Sequence, residues 1–149
     1  MEGKFYLWPK DYMADPSVHV WNGRVYIYPS HDWDAGVGDD DSGAEYEMKD
    51  YHVFSTDDLE AVCRGEKELV DHGCILDLKD IPWASHQLWD NDVQEKDGKY
   101  FMYFPAMCGA QTVGPCGTSL MYRSVEIKVL RRSRYPCCPL STERLLSLS

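Results

Sequence analysis

Up to about Ala106, the apolar residues fall in short aromatic and β-branched runs closed by turn residues, a β-rich pattern. Arg24–Ser30 (RVYIYPS) and Lys99–Ala106 (KYFMYFPA) are aromatic and β-branched runs. Each follows a dipeptide, Asn22-Gly23 or Asp97-Gly98, that supplies the positive φ angles of a tight hairpin turn. The segments ahead of those turns, PSVHVW and DVQEK, are the natural partner strands. Asp50–Leu59 (DYHVFSTDDL) reads as a strand running into a turn or helix start, and Gly73–Leu78 (GCILDL) as a short strand. Asp34–Gly43, rich in Asp and Gly, reads as a loop. No window holds a helical period beyond about two or three turns.

The two hairpins align with each other. Asn22-Gly23-Arg24 matches Asp97-Gly98-Lys99, Tyr26 matches Phe101, Tyr28 matches Tyr103, and each run ends in Pro and a small residue. Gly23 and Gly98 lie 75 positions apart. Repeated units of several short strands are the signature of propeller blades, which predicts an all-β fold. Asp15 and Asp92 each stand just ahead of a matched hairpin. In a propeller the innermost strands line one channel, so the repeat predicts that both acids face the same funnel.

Composition narrows the functions. At 149 residues the chain has room for one ordinary domain. The net charge of −10 argues against a nucleic-acid or anionic-membrane surface, which needs Lys and Arg. Aromatic residues make up 13%, with five Trp and ten Tyr, which suits β-structure and the stacking of flat rings on sugars. No stretch approaches the roughly 18 apolar residues of a membrane span. The first residues lack the apolar core of a signal peptide, so the default location is cytoplasmic, or secreted or periplasmic if a leader is missing. The six cysteines match neither a zinc knuckle nor a compact disulfide framework and read as unpaired thiols.

After Ala106 the text changes. Residues 107–149 hold few acids, a basic cluster (Arg131, Arg132, Arg134) and the Cys137-Cys138 pair, and they drop the aromatic strand pattern and turn spacing. A basic binding tail is one reading, and an ordinary variable segment another. The preferred one is a reading frame disturbed near Met107, leaving a frameshifted or disordered tail that packs poorly, with local helix or hairpin at most. The expected division is therefore 1–106, two propeller blades, and 107–149, an irregular tail.

The phrases ADPSVHVWNGRVYIYPSHD (Ala14–Asp32) and LWDNDVQEKDGKYFMYFPA (Leu88–Ala106) resemble the first and second blades of glycoside hydrolase family 43, five-bladed β-propellers that act on β-xylosides and α-L-arabinofuranosides. KDYHVFSTDDL resembles the last strand of the first blade, and LDLKDIPWASHQLWDNDV the lead-in to the second acidic position. The likeness covers roughly residues 10–106. It implies an incomplete five-bladed propeller of about two blades and an inverting glycosidase. By the same resemblance Asp15, in ADP, is the general base that activates water. Asp92, in WDNDV, is the acidic residue that raises the pKa of the general acid and keeps that acid oriented. The family pattern there is commonly Trp-Ala-Pro-Asp, so Asp90-Asn91 is a departure. The general acid, a Glu in a later blade, has no match. Glu126 is placed by order alone, and the role is not carried to it.

Inverting hydrolysis needs a carboxylate and a carboxylic acid about 6.5–9.5 Å apart, with water between the base and the sugar. A nearby like charge keeps the acid protonated. Candidate sugar contacts are Trp33, beside His31 and Asp32 after the first hairpin, then Asp32 itself and Trp89, although Trp89 reads equally as core. Trp21 and Trp83 read as core. Asp15-Pro16 and Asp92 read, without the resemblance, as strand-opening turn residues. His19, His52, His72 and His86 show no ligand spacing. Asp39-Asp40-Asp41 lacks the alternation and distal Glu of a calcium loop. Family members sometimes hold calcium in the central channel, but no residues for it are identifiable, and no cofactor or metal site is expected. The expected partner is a xylan- or arabinan-derived carbohydrate. The chain lacks a general acid and is expected to be inactive alone. The alternatives are a non-catalytic carbohydrate-binding propeller fragment and a small structural β-domain.

Overall fold

The computed structural model describes residues 7–36, 38, 46–108 and 119–127. Its strands are β1 (Met13–Trp21), β2 (Arg24–His31), β3 (Asp50–Thr56), β4 (Val70–Asp77), β5 (Ala84–His86), β6 (Asp92–Lys96), β7 (Lys99–Cys108) and β8 (Ser119–Ile127). One short helix, α1 (Leu59–Cys63), follows β3, and Asp58 caps it by accepting from the Ala61 N–H at 2.9 Å. All pairings are antiparallel, and the strands form two sheets. The first runs β1-β2-β3-β4; in the second, β6 and β5 share one edge of β7 while β8 takes the other.

Both hairpin turns form as the sequence predicts. Asn22 and Gly23 sit at φ 53° and 74°, Asp97 and Gly98 at 55° and 74°. Trp21 then pairs with Arg24 and Lys96 with Lys99, the register of a two-residue loop. The strand expected to open at Asp50 runs to Thr56 and gives way to the expected helix start, α1, while the strand expected over Gly73–Leu78 begins earlier, at Val70, and ends at Asp77. The last strand of the first sheet is thus β4, not the KDYHVFSTDDL segment, which supplies the third.

Alternation explains the burial. Tyr26 and Tyr28 of β2, with Tyr51 and Val53 of β3, point between the two sheets onto Leu88, Val93, Met102, Phe104 and Ile127. Ile27 and Phe54, on the opposite face of the first sheet, pack under α1 with Val62 and Leu69. Trp21 and Trp83 pack against the inter-sheet core, as expected.

β7 continues past Ala106 to Cys108, and β8 lies wholly inside the segment read as an irregular tail. β8 pairs with β7 from Tyr100↔Ile127 to Cys108↔Ser119 and so occupies the third-strand place that β3 holds in the first sheet. Its alternation is real at the end that packs: Ile127 is buried and Val125 half-buried, while Ser124 and Glu126 are exposed. The sequence reading passed over this run because it carries one aromatic residue, Tyr122, and lacks the Asn-Gly or Asp-Gly dipeptide of the other two hairpins. Residues 109–118 and 128–149, including the Arg131–Arg134 cluster and Cys137-Cys138, lie outside the described residues, as do Asp39-Asp40-Asp41.

Candidate active site

Asp15 sits on a bulge. Ala14 pairs with Ser30 and Ser17 with Tyr28, so Asp15 and Pro16 together stand opposite Pro29 alone. Asp15 takes φ 43°, a left-handed conformation that Asp tolerates better than bulkier residues. The Ser30 hydroxyl donates to the Ala14 carbonyl at 3.1 Å and fixes the strand where it bends. The Asp15 side chain is exposed at this bend.

Asp92 opens β6 and is held from three sides. Its carboxylate accepts from the Val93 N–H at 2.9 Å and from Gln94 Nε2 at 2.8 Å, and it lies 2.9 Å from His19 Nε2 of β1. Burial raises its pKa, but the hydrogen bonds from Gln94, Val93 and His19 outweigh that and hold the carboxyl below its usual range. The His19 ring is in turn stacked on Trp21, with centroids 5.0 Å apart.

The strand carrying Asp15 and the strand carrying Asp92 are therefore tied together. Beside the His19–Asp92 pair, Ser17 Oγ donates to Asn91 Oδ1 at 3.3 Å, and Asn91 Nδ2 donates to the Tyr28 carbonyl at 3.1 Å. Asn91 is buried, and its amide satisfies polar groups of the first sheet from the second. The Asp90-Asn91 departure thus has a structural use.

Asp32 follows the end of β2, its N–H donating to the Tyr12 carbonyl at 3.0 Å. Oδ1 of its carboxylate is buried without a hydrogen-bond partner among the described residues. Burial first, and then the nearby Asp15 charge, raise its pKa, against the lowering effects of His31 and a hydrogen bond with Ser30. Asp32 and Asp15 thus form one like-charged neighbourhood. Trp33 is 45% exposed, yet its ring leans on His31 at 4.5 Å and its Nε1 donates to Asp50 Oδ1 at 3.4 Å. Trp89 is half-buried against the inter-sheet core, and its carbonyl accepts from the Tyr51 hydroxyl. Glu126 is exposed and ion-paired to Lys99 at 3.0 Å.

A second polar cluster lies on the α1 side of the first sheet. His31 is buried between Asp50 (Nδ1–Oδ1, 2.7 Å) and Asp11 (Nε2–Oδ2, 3.1 Å). His52 lies 3.6 Å from Asp50 Oδ2 through Nε2 and 3.6 Å from Asp71 Oδ1 through Nδ1. Those separations make charge pairs but not hydrogen bonds, and His52 Nδ1 is buried without one. Burial opposes ionisation of Asp50, but His52, His31 and Trp33 hold its carboxyl below the usual range. The donor set of two imidazoles and one carboxylate does not suit calcium, which takes about six to eight oxygens. Among the described residues no other His, Cys, Asp and Glu group has metal-ligand spacing.

Sequence reasoning missed His19, Asn91 and this cluster. The available signals were weak but present. Ser17, His19 and Trp21 recur at the strand period on one face, and Asp50-Tyr51-His52 puts an acid and an imidazole on the same face. Of the other histidines set aside, His72 bonds Ser55 Oγ at 2.7 Å and His86 bonds Ser85 Oγ at 2.6 Å. Cys63 and Cys74 are free thiols. Among the described residues no helix is long and apolar enough to cross a membrane.

No protein-family model matches the chain. A xylosidase/arabinosidase of Bacteroides ovatus is 60% identical over 102 residues, 68% of this chain and 30% of the relative. Among solved structures, that of RS223-β-xylosidase superposes with a TM-score of 0.68 at 46% identity, over 86% of this chain and 36% of its own. A family 43 β-xylosidase/α-arabinofuranosidase from a compost microbial metagenome, solved with xylotriose in a calcium-free form, gives 0.65 at 44% identity, over 82% and 33%. The chain spans about 30% of the length of the curated relatives it matches. Sequence and fold together make this chain part of a glycoside hydrolase family 43 β-propeller.

Proposed function

We propose that these residues are the part of an inverting xylosidase/arabinofuranosidase that supplies the general base, Asp15, and the modulating carboxylate, Asp92. The observation that carries this reading is the state of Asp92. A modulator must stay ionised to keep a neighbouring acid protonated, and hydrogen bonds from three neighbours favour its charged form. Asp15, exposed on its bulge, is free to take a proton from water. The exposed Trp33 ring and the half-buried Trp89 edge are the proposed sugar contacts, with Asp32 beside Asp15. The partner is a xylose- or arabinose-containing glycoside, in keeping with the xylotriose and xylose bound in similar structures.

Among the described residues no group is placed as the general acid, so aryl β-xyloside and α-L-arabinofuranoside are expected to stay intact with the purified chain. Hydrolysis by that chain, lost in Asp15→Ala, would overturn this silence. The roles are tested in an exchanged enzyme, in which residues 10–106 replace the segment they match in the Bacteroides ovatus relative. The exchanged enzyme is expected to hydrolyse the aryl glycosides and to lose that activity with Asp15→Ala.

A further inference from the structure

We propose that His31, Asp50 and His52 form a binding site for a single transition-metal ion of the Zn²⁺ class, on the α1 side of the first sheet and separate from the Asp15–Asp92 pair. Each residue offers one donor atom, and the three atoms lie within 4.8 Å of one another. Zinc bonds nitrogen and carboxylate oxygen at about 2.0–2.2 Å, so neighbouring ligands of a tetrahedral ion stand about 3.3–3.5 Å apart. The His31 Nδ1–Asp50 Oδ1 separation of 2.7 Å and the His52 Nε2–Asp50 Oδ2 separation of 3.6 Å bracket that spacing.

The surroundings match those of metal-bound imidazoles, whose second nitrogen commonly faces a carboxylate that fixes the ring. His31 turns Nε2 to Asp11 at 3.1 Å, and His52 turns Nδ1 towards Asp71 at 3.6 Å. Trp33 Nε1 steadies the Asp50 carboxylate at 3.4 Å. The backbone preorganises the set. Asp50 and His52 are two apart on β3 and share a face, while Ser30↔Tyr51 pairing brings His31 beside Asp50. Imidazole with carboxylate selects Zn²⁺ or a neighbouring first-row ion over Ca²⁺ or Mg²⁺. His31 is buried, whereas the Asp50 and His52 side chains remain 15% and 20% exposed, so water reaches the fourth position.

The test is calorimetric titration of the metal-free 149-residue chain with Zn²⁺ alone, repeated with Co²⁺ alone to read its visible absorption. The wild-type chain is expected to take up one equivalent that His52→Gln and Asp50→Asn each lose, while His72→Gln keeps it. Thiol binding would persist in all four proteins and so cannot imitate this loss. The same uptake by wild type and His52→Gln would overturn the site, as would uptake of Ca²⁺ in preference to Zn²⁺. Circular dichroism of each variant must match the wild type. If His52→Gln fails that control, Asp50→Asn decides alone. No glycoside enters the measurement, so its outcome is independent of the glycosidase reading.

Discussion

In the first hairpin Asp15 and Pro16 bulge out opposite Pro29, and Ser17 takes the place across from Tyr28. In the second hairpin there is no bulge, and Asp92 itself pairs with Tyr103. Tyr28 and Tyr103 are the matched residues of the repeat, so the register equivalent of Asp92 is Ser17, not Asp15. The two acids agree in order along the chain but not in register. One is exposed on a bulge at φ 43°, and the other is clamped by His19, Gln94 and the Val93 N–H. A duplicated unit can thus yield two carboxylates with different chemistry, because a single extra residue re-aims one of them.

The largest effect that could break this comparison is catalytic. In the exchanged enzyme Asp15→Ala is expected to lower kcat/KM by about 10²–10⁴, the usual worth of general acid–base catalysis, with the acidic limb that reports the base lost and the alkaline limb left in place. Asp92→Asn is expected to move the alkaline limb down by about one pH unit or more. Removing a negative charge beside the general acid lowers that acid's pKa, so it loses its proton at lower pH. Matching losses with unmoved limbs in both variants would mean that the acids do not divide the work.

Next in size is the link between the hairpins. Asn91→Leu strands the Ser17 hydroxyl and the Tyr28 carbonyl at a buried junction, and a destabilisation of about 1–3 kcal/mol is expected from the urea midpoint. Ser17→Ala removes one partner at a part-buried site and is expected to cost about 1 kcal/mol or less. Equal costs would show that the Tyr28 carbonyl gains nothing from Asn91.

Where the hairpins are alike, the effects should be alike. Gly23 and Gly98 both sit at φ 74°, and a Cβ at either would meet nothing within 4 Å. Alanine at each is therefore expected to cost only the left-handed backbone penalty of about 1–2 kcal/mol. A gap between the two of more than about 0.5 kcal/mol would point to a turn that is not shared.

What could be read in advance follows the same division. Turn chemistry and strand period are local, so both hairpins, the strand at Asp50 and the start of α1 were legible from neighbouring residues. The like-sign neighbourhood of Asp15 and Asp32 was partly legible, since both acids flank one hairpin. The bulge was not, because Asp-Pro reads as a turn opener wherever it stands. Nor was the His19–Asp92 pair, which joins residues 73 apart through the packing of two sheets. β8 was illegible for a different reason: its partner β7 supplies the order, and Ser119–Ile127, with the single aromatic Tyr122 and no Asn-Gly or Asp-Gly ahead of it, does not repeat the pattern of the two hairpins. Asn91 read as a departure from a familiar pattern, and only its burial shows that the amide bridges the sheets.

The smallest expected effect concerns Asp32, the acid with no counterpart in the second hairpin, where Met107 follows Ala106. Its carboxyl is raised above the ordinary 3.8 by burial and by Asp15, with one oxygen buried and unbonded. A raised acid means that the folded state holds its proton more tightly than the unfolded chain does. Ionisation therefore costs stability as pH rises from 3.8 through the folded value, and the full penalty stands at neutral pH. Asp32→Asn removes the charge and should stabilise the chain at pH 7 by less than about 1 kcal/mol, since solvent screens a half-exposed group. The gain should fade as pH falls and vanish below 3.8, where both proteins carry a neutral side chain. Thermal midpoints of the two proteins between pH 3 and pH 7 measure it. A gain that grew on acidification would show instead that Asp32 is a stabilising anion, held by His31 and Ser30 more strongly than burial and Asp15 oppose it.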